Sequence, residues 1–460
     1  MKKILSVIVC LACCAFAAAQ TYTLEQLRDS ALRNNMAIRT ANYRIEAARQ
    51  QRKEAFTKYF PNVSGTGLWF NANRGMAKTV IEPSEMMSPE LGASLAQMFP
   101  PEAMAALATP MSMTMMKNGT LGSLMAVQPV FAGGQIANGN RLAKVGEDVT
   151  HLQLQLSENE VEKKVEEYFW QLVSLKEKMR TIEAVDTLLG SVENDVKVAV
   201  QAGVAMRNDQ LQVQLRRNEV ASQRLKVENG LRIVKMLLGQ YCGLGATGME
   251  GDYSFDIVLP DTGRQDNPLP AITENAQGVA HLPEYLLLNK QVEAAELQKK
   301  LALGKQLPSV AVGAGYTYHN LLENDRTFAM VFATVSLPIS DWWGGSHAIK
   351  RRKIELRQAQ EEQQDNAELL EIRRWNARNA VVEASQQLDL SRKGIVQAEE
   401  NLRLNRDYYR AGTARIADLL EAQLLYQQAL DRHTDAFATY QQSLLEFRHA
   451  SGLPTPTEGR

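Results

Sequence analysis

Two stretches share one plan at a constant spacing of 209 residues: VQAGVAMRNDQLQVQ from Val200 to Gln214 and YRAGTARIADLLEAQ from Tyr409 to Gln423. In each, an Ala-Gly pair (Ala202-Gly203, Ala411-Gly412) ends a helical pattern, and an acidic residue (Asp209, Asp418) follows six positions after the glycine. Glycine suits the left-handed residue just past a helix end, and an acidic side chain in the next first turn complements the partial positive charge there. The chain therefore holds two helical hairpin tips and is built by duplication.

Sevenfold spacing flanks both tips. Tyr168, Leu175, Ile182, Leu189 and Val196 lead into the first, as Leu388, Ile395, Leu402 and Tyr409 lead into the second. Val213, Val220, Val227 and Val234 leave the first, as Leu430, Phe437 and Leu444 leave the second. This is the heptad pattern of antiparallel helices sharing an apolar seam. Helical pattern runs without proline over 134–202 and 345–411, on the order of 100 Å each at 1.5 Å per residue. Neither length suits the interior of a compact domain. Return helices are predicted over 207–238 and 416–450.

Upstream, Glu46-Ala47-Ala48 and Pro61 recur as Glu293-Ala294-Ala295 and Pro308 at a shift of 247. Helices are predicted over Leu24–Lys58 and Ile272–Gln306, each stopped by its proline. Strand pairs follow, over 62–71 and 120–131 and over 309–319 and 327–339, with Pro61, Pro129, Pro308 and Pro338 expected at the helix–strand borders. The drop in shift from 247 to 209 assigns 38 extra residues to the first strand loop, 72–119. That loop holds nine methionines, among them Met113, Met115 and Met116. Thioethers suit a soft metal such as Cu(I), but an apolar lid or surface contact is the plainer reading.

The N-terminus has the three parts of a cleavable export signal: Lys2-Lys3, an apolar run from Ile4 to Phe16, and Ala17-Ala18-Ala19 before Gln20. Cys10, Cys13 and Cys14 fall inside it, leaving Cys242 with no disulfide partner. A second cysteine directly before the acceptor position disfavours lipidation at Cys14. The domain reading is signal 1–19, first repeat 20–240, linker 241–270, second repeat 271–452 and tail 453–460. With 51 basic and 52 acidic residues the balance points to no nucleic-acid partner. The six histidines lack ligand spacing, and no nucleophile triad, phosphate loop or cysteine pair appears, so no metal, cofactor or catalytic residue is expected.

No run reaches the ~18 apolar residues of a spanning helix, so a membrane crossing would use strands. Four strands per chain leave open edges that a bilayer does not tolerate. A dimer's barrel would be filled by side chains, whereas the twelve strands of a trimer enclose a lumen. At this point the two tips and the internal repeat resemble the TolC family of outer-membrane factors over nearly all of the mature chain. The resemblance implies an α+β membrane protein: a homotrimer with a twelve-stranded barrel in outer-membrane lipid and a periplasmic tunnel of helices. It implies docking to a periplasmic adaptor and an inner-membrane pump, and passive export without catalysis. It also implies a constriction at the tips, with Tyr409 at the gating tyrosine and Asp418 and Glu421 at the acidic ring. Ala414 stands where the family has an arginine, and Arg415 lies one residue on. Gly203, Asp209 and Gly412 shape the tips. A periplasmic adaptor or a structural coiled-coil protein is the alternative, but an adaptor would carry one hairpin and a coiled-coil protein no bilayer-length strands.

Overall fold

The computed structural model describes residues 20–75, 77–82, 87–107, 109, 111–115, 118–245, 253, 255–260, 278–320, 325–339 and 341–453. The expected export signal, most of the linker, the tail from 454 onward, and Met76, Met86 and Met116 lie outside the described residues. In chain order the first repeat holds β1 (Gln20–Tyr22), α1 (Leu24–Asn34), α2 (Met36–Thr57), β2 (Asn62–Asn71) and β3 (Ala77–Ile81). It continues with α3 (Pro89–Met98), α4 (Pro101–Leu107), β4 (Met111–Met115), β5 (Asn118–Ala132), α5 (Gln135–Gln201) and α6 (Arg207–Tyr241). After β6 (Phe255–Ile257) come α7 (Pro283–Gly304), β7 (Ser309–Asn320), β8 (Arg326–Ser336), α8 (Asp341–Arg410) and α9 (Ile416–Ser451). Among the described residues no helix is long and apolar enough to cross a membrane. The chain forms two units, Arg49–Val145 with Ala294–Arg357, and Met1–Ala48 with Gly146–Glu293 and Gln358–Arg460.

In the first of these units, β2, β5, β7 and β8 make one antiparallel sheet in that order, so β2 and β8 are its edges. Its strands carry a single formal charge, Arg326. Cross-strand register separates two faces. Val63, Ala126, Ala314 and Val331 fall in one row and Gly65, Leu124, Tyr316 and Ala329 in the next. On the opposite face lie Ser64, Met125, Gly315 and Met330, then Thr66, Ser123, Thr317 and Phe328. There the Thr66 and Ser123 hydroxyls meet at 2.6 Å. A single chain leaves the aliphatic face bare: Val63 is 61% exposed, Leu124 58% and Val331 86%. A bare row of this kind calls for an apolar surrounding rather than water.

Pro61 and Pro308 directly precede β2 and β7, and Pro338 follows the end of β8. Pro129 departs from the expected border position and sits inside β5. Lacking an N–H, it coincides with a register shift between Pro129 and Phe131, as proline in a ladder requires. The first strand loop carries structure of its own: β3 and β4 pair within it, with α3 and α4 between them.

The borders of the two repeats meet at Gly133 and Gly304. A Cβ on Gly133 would lie 2.2 Å from the Gly304 carbonyl oxygen, and one on Gly304 would lie 2.4 Å from that of Gly133. Gly133 also has φ 58.

The other unit is helical. Val161, Val165, Phe169 and Leu172 of α5 pack with Val381 and Leu388 of α8 and with Phe437, Tyr440 and Leu444 of α9. Leu27 and Ala31 of α1 close this core, and β1 pairs in parallel with β6. The heptad residues Ile182, Leu189, Val196, Val213 and Val220 are all buried, each contributing about 1.5–3 kcal/mol relative to exposure.

Two predicted helices differ in extent. The one expected over 24–58 breaks at Asn35, whose backbone is extended (φ −63, ψ 137). Its amide donates to the Tyr241 carbonyl at 2.9 Å, while its side-chain oxygen accepts from the Ala37 N–H at 2.8 Å. The helix expected from Ile272 starts at Pro283, and 272–277 lie outside the described residues.

Replacing Gly133 by valine combines left-handed strain with a backbone clash and is expected to destabilise the fold by about 3 kcal/mol. Unfolding midpoints of the purified protein check this. A variant as stable as wild type would mean that the two borders do not hold each other.

Candidate channel constriction

Both tips are built by the same hydrogen bonds. At the first, Gly203 N–H donates to the Val200 carbonyl and Val204 N–H to that of Ala199, at 3.1 and 3.0 Å. At the second, Gly412 N–H donates to Tyr409 and Thr413 N–H to Tyr408, both at 3.0 Å. Gly203 and Gly412 have φ of 77 and 73, in the left-handed region that closes a helix end.

The acidic residues at the fixed offset do the same work twice. Asp209 Oδ2 accepts from the Met206 N–H at 2.9 Å, and Asp418 Oδ2 accepts from the Arg415 N–H at 3.0 Å. Each thus satisfies an orphan donor at the start of its return helix. Arg415 adds its guanidinium, with Nη2 3.3 Å from Asp418 Oδ1. The Arg415 main-chain N–H, and then its side chain, hold the Asp418 carboxyl below its ordinary pKa. Arg415 therefore bonds within its own helix start. Glu421 is exposed and forms no ion pair among the described residues.

Tyr409 joins the two tips. It packs on a cluster of Val192, Val196, Val213, Ile416 and Leu419, drawn from α5, α6 and α9. Burial raises its pKa, and the carboxylates of Asp209 and Asp195 raise it further. In one protomer the structure thus brings Tyr409 to the first tip and Asp418 to Arg415. It does not pair Tyr409 with Asp418 or Glu421.

Sequence reasoning missed a polar network just along α6 and α9. Arg216 donates to Gln423 Oε1 at 3.3 Å, to Gln427 Oε1 at 3.0 Å and to Glu219 at 2.8 Å, and Gln427 donates to Gln223. Gln423 is 1% exposed. The signal was present, because Gln423 stands one heptad before Leu430 and interrupts the apolar series. A polar residue at such a position fixes register at a cost in stability. Nearby, Arg217 bridges Asp186 and Glu193 across α5 and α6, in a cleft of about 430 Å³.

A four-stranded sheet with one aliphatic face is joined in sequence to duplicated long hairpins, the fold expected of an outer-membrane channel subunit. The comparisons agree. Residues 287–453 match the family model described as outer membrane efflux protein. The match covers most of the second repeat, and the chain carries the fold of outer-membrane channels, as the resemblance of the tips implied.

The outer membrane protein VceC of Vibrio cholerae superposes with TM-score 0.70 at 13% identity, covering 93% of this chain and 96% of that one. CmeC, an outer membrane channel of Campylobacter jejuni, gives 0.73 at 14%, covering 95% and 87%. The MtrE outer membrane channel of Neisseria gonorrhoeae, in its open state, gives 0.69 at 16%, covering 93% and 88%. No curated protein matches the chain.

The capping role of Asp418 has a pH signature. Its folded pKa is depressed, so its contribution is present above the unfolded value of about 3.9 and is lost as pH falls through the folded value. Asp418→Asn should speed amide exchange at 415–419 severalfold at pH 7 and match wild type once the pH lies below the folded value. Equal exchange at pH 7 would remove the cap.

Proposed function

We propose that three copies of this chain form an outer-membrane channel, the passive exit duct of a tripartite efflux or type I secretion system. The observation that carries this is the sheet: two open edges, one aliphatic face and one face with Ser64, Thr66, Ser123 and Thr317. Copies joined edge to edge satisfy the backbone, turn the aliphatic rows to lipid and leave the hydroxyls lining a lumen. A periplasmic adaptor and an inner-membrane pump would supply cargo and bias the channel to its open state, by preferring that state. The duct itself catalyses nothing and needs no cofactor.

The tips form the closed periplasmic end on this reading, with Asp418 and Glu421 around the axis and Tyr409 packed behind them. Their i, i+3 spacing puts both carboxylates on one helix face. Threefold repetition concentrates cations there. The bond from Arg415 to Asp418 tempers that charge in the resting protein. Nothing lies within 4 Å of where a Cβ on Gly203 or Gly412 would sit, so it is the left-handed φ of each turn and not close packing that selects glycine there.

Conductance of purified trimers in planar bilayers tests the reading. A trivalent cation on the tip side should block wild type, and Asp418→Asn with Glu421→Gln should weaken the block about tenfold or more. Arg415→Ala should strengthen it by freeing the Asp418 carboxylate. Block unchanged in both variants, with trimers intact, would put the constriction elsewhere.

A further inference from the structure

The formal charge of the chain is nearly balanced, with 51 basic and 52 acidic residues, but it is not evenly spread. The helix segments 49–58, 135–145, 294–306 and 341–357 are those of the sheet-bearing unit that lead to or from its strands. Together they hold fourteen Lys and Arg against four Asp and Glu. The sheet they adjoin carries one charge, Arg326, at its other end. An uncharged span thus ends abruptly in a cationic collar.

Chain distance puts this collar close to the sheet. Lys58 stands four residues before β2 and Lys305 four before β7. Lys305, Arg351 and Arg352 line a cavity of about 400 Å³ between α7 and α8, floored by Leu142 and Leu301 and edged by Gln298. Internal acids quench little of the excess. Glu355 takes Arg352 at 2.7 Å and Arg351 at 3.6 Å, and Glu296 takes Lys300 at 2.8 Å. Arg352 also donates to Gln298 at 2.7 Å. Lys305, Lys350 and Lys353 are exposed and form no ion pair among the described residues.

We propose that this collar binds the anionic phospholipid headgroups of the leaflet that faces the periplasm, with the cavity at Lys305, Arg351 and Arg352 seating one headgroup per subunit. The inference rests on the outer-membrane reading given above. Charge decides the occupant. Copies joined at the sheet edges bring their own collars to the same level, so the assembled ring repeats the cationic excess there instead of cancelling it. A leaflet ending where the strands end presents its phosphates at the depth of Lys58 and Lys305. Long basic side chains reach headgroups while their stems stay on apolar surface. Anionic lipid attracts such groups within a Debye length of about 10 Å at ordinary salt.

The test uses full-length trimers in vesicles of phosphatidylcholine doped with spin-labelled phosphatidylglycerol or spin-labelled phosphatidylcholine, with conductance of the same preparation recorded in parallel. Wild type should enrich the anionic label at its boundary about fivefold at low salt and lose the preference near 1 M salt. The combined change Lys305→Gln, Lys350→Gln, Arg351→Gln and Lys353→Gln spares the bonded Arg352 and should cut the enrichment to about twofold or less. The charge-preserving set Lys305→Arg, Lys350→Arg and Lys353→Arg should keep it, which guards against a variant that merely misfolds. Excess inorganic phosphate at matched ionic strength should not displace the lipid; displacement would mean a free-phosphate site and overturn the proposal.

Conducting wild-type trimers without anionic preference, or with a preference insensitive to salt, would also overturn it while leaving the channel reading intact. So would a glutamine variant that keeps its lipid preference but shifts the reversal potential, since the collar would then line the lumen. Absence of trimers and conductance in every lipid would instead defeat the channel reading, and the collar with it.

Discussion

The constraint on which the rest depends is the unpaired backbone along β2 and β8. In hydrocarbon each unsatisfied N–H or C=O costs several kcal/mol, so neither edge is stable alone in a bilayer. Among the described residues no strand pairs with them: the sheet runs β2-β5-β7-β8 and stops, and the additional pair β3-β4 forms a separate sheet. On the channel reading proposed above, edges of the same kind from other copies close it. Once closure comes from symmetry, every other feature is multiplied with it, including the aliphatic rows at Val63 and Val331, the tips and the cationic helix ends.

Duplication provides two versions of each part, and their differences carry the function. Both tips use a left-handed glycine and an aspartate that caps the return helix, so the fold is specified identically in each. The loops between diverge. The first exposes Val204 and Met206, 80% and 75% accessible, where the second has Thr413 and Arg415. Among the described residues only the second tip pairs a guanidinium with its capping acid, since Arg207 at the first donates to Gln210 instead. Around both lies a seam of Val192, Val196, Val213, Ile416 and Leu419 with Tyr409 against it. Further along, the Arg216, Gln423 and Gln427 network replaces apolar packing with directional bonds, which a register-fixing role would favour over stability.

Much of the fold was legible because its signals are periodic and repeated. Heptads at Leu189, Val196, Val213 and Val220 marked the seam, and the 209-residue spacing located both glycines without reference to any other protein. What escaped notice depends on single side chains or on contacts distant in sequence. The break at Asn35 comes from a bond to Tyr241, 206 residues away. The shift at Pro129 comes from one missing N–H in a strand whose partner lies in the other repeat. The pairing of β3 with β4 was missed because β3 (AKTVI) does not alternate, although Met111, Met113 and Met115 of β4 do alternate with Ser112 and Thr114. At the candidate constriction, Asp418 could be read as either a helix-start residue or a ring acid. The protomer shows the first of these, and the second requires neighbouring copies.

Closure by identical copies is most directly tested by disulfide trapping between the two edges. Single cysteines placed in pairs, one at a position from Val63 to Trp69 and one from Thr327 to Val335, would be oxidised in native outer membranes and resolved by mass. The native thiol Cys242 is buried and its pKa is pushed up to about 12, so it stays out of the exchange. The account expects intermolecular links at alternating positions and a ladder that ends at three chains. Links only within one chain, or a ladder ending at two or continuing past three, would contradict it.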